Sequence, residues 1–536
     1  MKLSKYLVGT LACALMAACS NEENIENGSS GEATTSYLAV NILNADGQGS
    51  RALPSGYEEG TDPENAIENI RFYLFQSEGS AYTLTGGNSY VTPTYTEDVD
   101  ADNTSETVEE VGNAVLVIEQ STATPPASII AIANPPSGLA NTYSLTELSN
   151  VLGNYATTGD ENTFIMSNSV YNNGTTLGEV SVSGHVTNDR DEALANPVDI
   201  YIERVVAKVS VSDGRESPTY TGAYLVDESK KIYAVINGWQ VADYNQNSYL
   251  VKHISSSWTD SGLGITPWST NDYHRSFWAT SVPIDDTHVA GNYNWNSANI
   301  TLGQSVYTQE NTPTSAITNN ANNSLTKILV AATLRTQGEG NDPSTWTAAP
   351  IYRLYGAPYA SEEAILTEIA NRFADTYYTR SGNDPSYTYT SLSPDNLELK
   401  TADDLNDDNI ASYAVVAQLK SGVTVYGAAP DHTESTSACN TALKEIEAQV
   451  WKDGKTYYYT TIEHLGSDNS IGKYGIVRNH SYKIAIDNIE GFGTPVYDPN
   501  EEIDPITPTT ENSYIAARVN ILSWRVVNND DVVLGQ

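Results

Sequence analysis

The chain alternates apolar and polar residues in one short segment after another, which is the pattern of β-strands that bury one face. In "SYLAVNIL" (36–43), Leu38, Val40 and Ile42 share a face, and "VDIYIERVVAKVSVSDG" (198–214) is a longer stretch of the same kind. Tyr is abundant, at 35 of 536 residues, as pleated sheets favour. The pattern predicts an all-β fold of two tandem antiparallel β-sandwich domains with a few short helices. Further predicted strands lie at 70–76, 113–119, 128–134, 231–241, 325–334, 413–419, 455–462, 480–491 and 513–527.

Three segments read as helices instead. Ser144 and Glu147 have the spacing of a capping box, which predicts a helix over 144–152. Apolar residues four apart predict helices over 361–374 and 441–450.

Composition excludes several classes of function. The chain carries 27 Lys and Arg against 67 Asp and Glu, a formal charge of −40, so nucleic acid is not an expected partner. Its three cysteines are Cys13, Cys19 and Cys439, and only Cys439 lies in the body of the chain, so no internal disulfide is expected there. The seven histidines form no metal-binding pattern, and neither a nucleophile elbow nor a phosphate-binding glycine loop is present. We therefore expect no enzyme, no cofactor and no metal.

Two features allow a second reading. The acidic segment 403–409 suggests calcium, but it lacks the glycine and closing glutamate of an EF-hand loop, so a solvated acidic turn is favoured. Several tryptophans could stack on sugars, but buried anchors are the favoured interpretation. The tryptophans in question are Trp239, Trp268, Trp278 and Trp524.

The N-terminus has the features of an export signal. Two lysines precede the apolar run "YLVGTLACALMAA", which ends in "LMAAC" at Cys19. This looks like a bacterial lipoprotein signal, with residues 1–18 as the signal peptide and Cys19 as the lipidated residue. A plain secretory signal is the alternative.

Arg51 stands alone, because no other Lys or Arg lies between Lys5 and Arg51. It follows the predicted strand 36–44, and the "VNIL" of Val40–Leu43 recurs as Val519–Leu522 near the C-terminus. Coincidence in a β-rich chain is the alternative explanation. If the repeat has a role, cleavage after Arg51 would remove the first strand, and the tail of another chain would replace it by strand addition.

A Pro-rich acidic linker precedes that tail. It spans 497–513, and Pro499, Pro505 and Pro508 are expected to keep the final strand off its own domain.

The chain resembles the Bacteroidales major fimbrial subunits, the fimbrillins of the type V pilus, in the Mfa-like branch. The resemblance extends over essentially the whole chain. It is carried by ordered segments that include "IIAIANP" (129–135), "VDIYIERVVAKV" (198–209), "NGWQVADYNQNSYLVK" (237–252), "YGIVRNHSYKI" (474–484) and "VNILSWRVV" (519–527).

The resemblance implies the roles of several residues. Cys19 matches the lipidated cysteine, Arg51 and Ala52 match the bond cut by an Arg-specific surface protease, and residues 36–44 match the strand that is lost. The tail from Ser513 matches the donor strand, with Val519, Ile521, Leu522, Trp524 and Val526 as its candidate contacts. His480 is implied to have a structural role. The domains are implied to be transthyretin-like Greek-key sandwiches without a cofactor.

The expected organisation is as follows. A lipidated propeptide spans 19–51, the N-terminal sandwich spans 52–204, the C-terminal sandwich spans 205–500, and the linker and donor strand span 501–536. The resemblance implies an outer-membrane lipoprotein precursor that becomes part of an extracellular fimbria serving adhesion, biofilm formation and virulence. Its implied partners are identical subunits head to tail, anchor and tip subunits, the protease, and host or bacterial receptors. A tip or accessory adhesin and a surface glycan-binding lipoprotein are the alternatives.

Overall fold

The computed structural model describes most of the chain between residues 35 and 528. Its strands far outnumber its helices, so the predicted all-β class is confirmed. The described residues are 35–44, 58, 60–97, 110–120, 124–156, 164–171, 178–270, 274–283, 288–289, 293–317, 325–348, 350–407, 410–503, 514–522 and 527–528.

The strands are numbered in chain order. Those that precede residue 205 are β1 (Thr35–Asn44), β2 (Ile70–Phe75), β3 (Tyr90–Val91), β4 (Thr96–Glu97), β5 (Glu110–Glu119), β6 (Ser128–Ala133), β7 (Leu152–Gly153), β8 (Met166–Asn168), β9 (Val180–Ser181) and β10 (Val198–Arg204).

The remaining strands lie between residues 207 and 528. They are β11 (Ala207–Asp213), β12 (Ala223–Asp227), β13 (Ile232–Ala242), β14 (Tyr244–Asn245), β15 (Ser248–Tyr249), β16 (Ser269–Thr270), β17 (Arg275–Ser276), β18 (His288–Val289), β19 (Ser305–Thr308), β20 (Lys327–Thr336), β21 (Ile351–Leu354), β22 (Ala357–Tyr359), β23 (Tyr377–Asn383), β24 (Ser386–Ser391), β25 (Leu397–Lys400), β26 (Ala414–Leu419), β27 (Val425–Gly427), β28 (Glu447–Trp451), β29 (Lys455–Thr461), β30 (Ser481–Glu490), β31 (Thr494–Pro495), β32 (Tyr514–Leu522) and β33 (Val527–Asn528).

The helices of the described residues are short. The α-helices are α1 (Asp62–Asn65), α2 (Leu145–Ser149), α3 (Arg190–Ala195), α4 (Asp260–Leu263), α5 (Glu362–Arg372), α6 (Ala402–Leu405) and α7 (Thr436–Lys444). Single 3-10 turns lie at Trp295–Ser297, Pro343–Thr345, Pro394–Asn396, Lys452–Gly454 and Ile471–Lys473.

The helix predictions have mixed outcomes. Ser144 caps α2 through the predicted box with Glu147, although α2 ends at Ser149 and Leu152–Gly153 is a strand. Helix α5 lies within the predicted 361–374. The prediction for 441–450 is wrong in its second half, because α7 ends at Lys444 and β28 follows it, with Val450 buried in the third core described below.

The first sheet contains β1 in its interior. Its order is β3-β2-β6-β8-β10-β1-β5-β4, with β9 added to β6. Residues of β1, β2, β5, β6 and β10 share a buried cluster, here called the N-terminal core, whose members include Leu38, Phe72, Leu116, Ile130 and Ile200.

Two five-stranded sheets share the second cluster, here called the central core. Their orders are β19-β11-β30-β32-β33 and β12-β13-β20-β29-β31. Val209 of β11 and Ile484 of β30 lie in the same cluster as Trp239 of β13 and Val330 of β20, so the inner faces of the two sheets pack together.

A third buried cluster lies within residues 352–450. It joins the sheet β22-β21-β28-β26-β25 to helices α5 and α7 through Ile365, Ile369, Val415 and Leu443. The sequence pattern did not separate this third core from the expected C-terminal sandwich, and the expected domain limits remain predictions.

The long alternating stretch 198–214 is two strands rather than one. β10 belongs to the first sheet and β11 to the second, and Val205 and Val206 between them are both buried. Both strands make parallel ladders, β10 with β1 and β11 with β30, within sheets that are otherwise antiparallel. The chain thus passes directly from the N-terminal core to the central core.

A set of buried ions surrounds this crossing. Lys252 lies 3.1 Å from Glu203, and Arg478 lies 2.6 Å from Glu310, with all four side chains at most 2% exposed. Arg204, fully buried, donates to the carbonyl of Glu64 at 2.7 Å. Because these ions are paired and hydrogen-bonded, they can be buried without a free charge.

The buried pair of Arg478 and Glu310 supports a stability prediction. Arg478→Ala leaves the Glu310 carboxylate buried opposite a truncated partner, so we expect the free energy of unfolding to fall by about 3–5 kcal/mol. Chemical denaturation of the purified chain measures this change. Arg372→Ala, which removes an exposed pair with Glu368 on α5, is the control and should cost no more than about 0.5 kcal/mol. Equal losses in the two variants would contradict the prediction.

Candidate strand-exchange site

The site is the slot that β1 fills between two neighbouring strands. β1 pairs with β5 in antiparallel register along all ten of its residues, from Thr35 opposite Glu119 to Asn44 opposite Glu110. On its other side, Val40–Asn44 pair in parallel with Val198–Ile202 of β10. Backbone groups on both edges of β1 are therefore used by the sheet.

The inward face of β1 supplies part of the N-terminal core. Leu38, Val40 and Ile42 are at most 1% exposed, as their alternation predicts. Ala39, on the other face, is also buried at 3% exposure. β1 is therefore covered on both faces at its centre.

Polar contacts fix β1 at both ends. The buried Ser36 hydroxyl donates to Asn188 at 2.9 Å and accepts from the Gln120 amide at 2.6 Å. Nearer the C-terminal end, the Asn41 amide donates to the Asp199 carboxylate at 2.8 Å. These contacts join β1 to the residue that follows β5, to β10 and to the loop before α3.

Near its N-terminal end, where β10 does not reach, β1 pairs with the loop before α3. The amide of Tyr37 donates to the Thr187 carbonyl at 2.6 Å, and the Thr187 amide donates back at 3.0 Å. The slot therefore has two walls along most of its length.

The C-terminal tail pairs with its own chain. β32 runs antiparallel to β30, with Tyr514 opposite Glu490 and Leu522 opposite Ser481. The expectation that the linker prolines keep the tail off its own domain is therefore wrong. None of the three prolines lies within β32, so none removes a hydrogen-bond donor from its ladder.

The structure brings together only part of the predicted set of site residues. Leu38, Val40 and Ile42 meet in the N-terminal core, whereas Val519, Ile521 and Leu522 lie on β32 beside β30. Cys19, Arg51, Ala52, Trp524 and Val526 lie outside the described residues. Their predicted roles remain predictions.

The residues considered for calcium or sugar binding have structural roles in the described part of the chain. Asp404 caps α6 by accepting from the backbone of Thr401 at 3.0 Å, which lowers its pKa. No group of His, Cys, Asp and Glu among the described residues could hold a metal ion. Trp239, Trp268 and Trp278 are buried, which confirms them as anchors, and Cys439 is buried and its thiol pKa is raised to about 11.

His480 is buried in a polar cluster. Its Nδ1 lies 2.8 Å from the Arg478 carbonyl, and burial holds its pKa well below the usual range.

Sequence reasoning missed two features. The contact of Asn41 with Asp199 has no signal in a single sequence, because the partners are far apart in the chain. The buried ions around Arg204 and Arg478 leave a weak signal in the sequence, since charged residues interrupt the apolar runs "YIERVVAKV" and "GIVRNHSYKI".

Two family models match this chain. Residues 36–204 match the model described as major fimbrial subunit protein (FimA). Residues 449–530 match the model described as major fimbrial subunit protein type IV, fimbrillin, C-terminal. The matches confirm the resemblance to the fimbrillins, the major fimbrial subunits, in the region of β1 and in the region of β32. No curated protein matches the chain significantly.

Solved structures of similar proteins share low identity with the chain. A proposed cell adhesion protein from Parabacteroides distasonis is 13% identical with a TM-score of 0.38, covering 91% of this chain and 96% of that one. A fimbrial assembly protein from the same organism is 10% identical with a TM-score of 0.27, covering 73% and 99%. The tip fimbrial protein Mfa3 from Porphyromonas gingivalis is 12% identical with a TM-score of 0.30, covering 91% and 100%.

The family matches support a structural or adhesive role in a surface fimbria. Fimbrial subunits of this kind are structural proteins that assemble with other subunits, and the family implies an extracellular location. Within the described part of the chain, every helix is too short or too polar to span a bilayer.

Truncating β1 tests its contribution to the N-terminal core. Leu38→Ala in the uncut chain leaves a cavity at a site with no exposure, so the free energy of unfolding should fall by about 2–5 kcal/mol. Denaturant unfolding measures the loss. Val117→Ala on β5 removes a side chain that is 49% exposed, and it serves as the control. If both variants lost equally little, β1 would not be part of the core.

Proposed function

We propose that this protein is the structural shaft subunit of a surface fimbria. It is exported as a lipoprotein through Cys19, activated by Arg-specific cleavage after Arg51, and polymerised by donor-strand exchange with its C-terminal strand. The observation that carries the proposal is the position of β1. β1 is an interior strand, residues 45–69 connect it to the next strand, and Arg51 lies in that connection.

Cleavage would change β1 from a tethered segment into a separate peptide. While the chain is intact, β1 competes for its slot at a high effective concentration, because it is covalently tethered to the sheet that contains the slot. After cleavage, no covalent link holds β1 beside its slot. Propeptide 19–51 can then leave the slot, which exposes the edges of β5 and β10.

The empty slot would attract another strand. Its walls would carry the unpaired backbone groups of β5 and β10, and its floor would lose the three side chains Leu38, Val40 and Ile42. An open edge of this kind is a template for strand addition. Ten extended residues cover about 30 Å, which is the length of β1.

The tail of a second copy is the proposed occupant. Its strand repeats the Val40–Leu43 sequence at Val519–Leu522, and the N-terminal slot and the C-terminal tail are different surfaces. A contact between different surfaces does not close on itself, so it generates a filament of identical subunits.

The tail would first have to leave its own chain. β32 forms a ladder of nine residue pairs with β30, and β30 remains paired with β11 on its other side. Exchange therefore trades one ladder for another. The gain comes from the slot, which pairs a strand on both edges, whereas the second edge of β32 pairs only with the two residues of β33.

A fimbrial tip or accessory adhesin of the same fold is the second candidate. A tip subunit has no need of a donor strand, and the strand-forming tail therefore favours the shaft. A glycan-binding lipoprotein is less well supported, because Trp239, Trp268 and Trp278 are buried.

The proposal includes a change of location and of partners. The lipid on Cys19 would hold the precursor at the outer membrane, and cleavage would release the subunit into the fimbria. Anchor and tip subunits, the Arg-specific protease and surface receptors are proposed partners, with adhesion and biofilm formation as the outcome.

Substituting Arg51 tests the cleavage step. Arg51→Ala should leave an uncut precursor at the membrane and abolish fimbriae, because β1 stays tethered in its slot. N-terminal sequencing of sheared surface protein, which should begin at Ala52 in the wild type, checks the site. In the matched variant Arg51→Lys, an Arg-specific protease should also fail, while trypsin should restore assembly in vitro. Normal fimbriae from Arg51→Ala would disprove the cutting point.

Removing the tail tests the donor role. A chain that lacks residues 513–536 should be cut normally yet remain a monomer, because no strand is available to fill the next slot. Denaturation-resistant ladders on gels measure assembly. Deleting only residues 529–536, which follow β33, is the control and should preserve the ladders. Ladders that persist without 513–536 would rule out the donor role.

A further inference from the structure

The tail matches β1 in two different alignments. "VNIL" at 40–43 aligns with 519–522, whereas "SYLAVNI" at 36–42 aligns with "SYIAARV" at 513–519. The second alignment has three identities, and its three inward positions are aliphatic in both strands. The alignments differ by two residues, so both keep the same side chains facing the core. One straight strand can satisfy only one of them.

The environment of Ala39 distinguishes the alignments. Ala39 is 3% exposed, so its position has no room for a long charged side chain. The "VNIL" alignment places Arg518 there, which buries a guanidinium where a methyl group lies now. The longer alignment places Ala516 there, which is the same residue type.

Leu38 and Ser36 agree with Ala39, whereas Val40, which is 1% exposed, is kept as Val519 by the "VNIL" alignment and replaced with Ala517 by the longer one. Leu38 is fully buried, and the "VNIL" alignment replaces it with Ala517, which leaves a void in the N-terminal core. The longer alignment replaces it with Ile515, a side chain of equal volume. At Ser36, whose hydroxyl bonds Asn188 and Gln120, the longer alignment again supplies a serine, whereas the shorter one supplies Ile515.

The longer alignment also creates a charge pair. Arg518 takes the place of Asn41, whose amide contacts the exposed Asp199 carboxylate at 2.8 Å. Asp199 lines a cavity of about 180 Å³ together with Glu179, and Glu179 Oε2 has no hydrogen-bond partner among the described residues. A cation at position 41 therefore approaches a surface that carries two carboxylates.

We infer that the tail of a second copy occupies the slot with residues 513–519 at the positions of 36–42, so that Arg518 pairs with Asp199. This inference rests on the proposed strand exchange and names its register. Arg518 is then a specificity-determining residue, because it stabilises one of the two alignments that bury the same face. The conspicuous "VNIL" repeat is displaced by two residues in this register.

Disulfide trapping between a cleaved acceptor chain and an uncut donor chain tests the register. The acceptor is cleaved after Arg51 and carries Asn113→Cys, at the exposed β5 position that lies opposite Asn41. The donor is the uncut Arg51→Ala chain, whose own slot is filled, and it carries either Arg518→Cys or Asn520→Cys. Both chains carry Cys439→Ala, which removes the remaining thiol of the body.

The two donors have opposite expected outcomes. Directly opposite residues have Cβ atoms within disulfide reach, and a shift of two residues moves them out of it, so Arg518→Cys should give at least about tenfold more linked dimer. Non-reducing gels measure the product. Linkage through Asn520→Cys and not Arg518→Cys would overturn the register while leaving strand exchange intact. If size-exclusion chromatography detected no donor–acceptor complex, strand exchange itself would fail, and the register with it.

A charge exchange tests the pair itself. Asp199→Lys in the acceptor should weaken binding of the unmodified donor tail about threefold or more, and Arg518→Glu in the donor should restore it. Glu78→Lys, at an exposed turn after β2, is the matched control for the change in net charge. Loss of binding without restoration would contradict the pairing of Arg518 with Asp199.

Discussion

The pairing of β1 with strands on both of its edges is the constraint on which the N-terminal half depends. β5 and β10 come from distant parts of the chain, and β1 is the strand that pairs with both of them. The strand also supplies buried side chains to the N-terminal core. Because one segment provides both the hydrogen bonds and the apolar contacts, the sheet requires a strand in this position, whichever chain supplies it.

The proposed exchange requires the rest of the molecule to keep its fold while the slot changes its occupant. The crossing from β10 to β11 is buried, and the paired ions of Glu203, Lys252, Glu310 and Arg478 surround it. A subunit under tension in a filament must carry load from its N-terminal slot to its C-terminal tail. The continuous path from β10 through β11 to β30 and β32 joins these two surfaces by direct strand pairing and by the chain itself.

Alternation in the sequence predicts most of the strands and the inward face of β1, because burial on one face leaves a signal of period two. It fails where burial is not one-sided. Val205 and Val206 are both buried at a crossing between sheets, and the pattern merges β10 with β11 there. Alternation also cannot say which strands are neighbours, so neither parallel ladder nor the return of β32 to β30 could be predicted. The inward position of Leu38 follows from this local pattern. The contact of Asp199 with Asn41 joins distant segments of the chain, so the local pattern does not predict it.

The mixed pairing of β1, parallel to β10 and antiparallel to β5, gives the slot a direction. A replacement strand that kept these hydrogen bonds would have to run the same way as β1. Every joint in a filament would then have the same orientation, and the two ends of the filament would differ. One end would present an unfilled slot and the other an unused tail, so a cell could elongate the fibre from one end while holding the other at its surface.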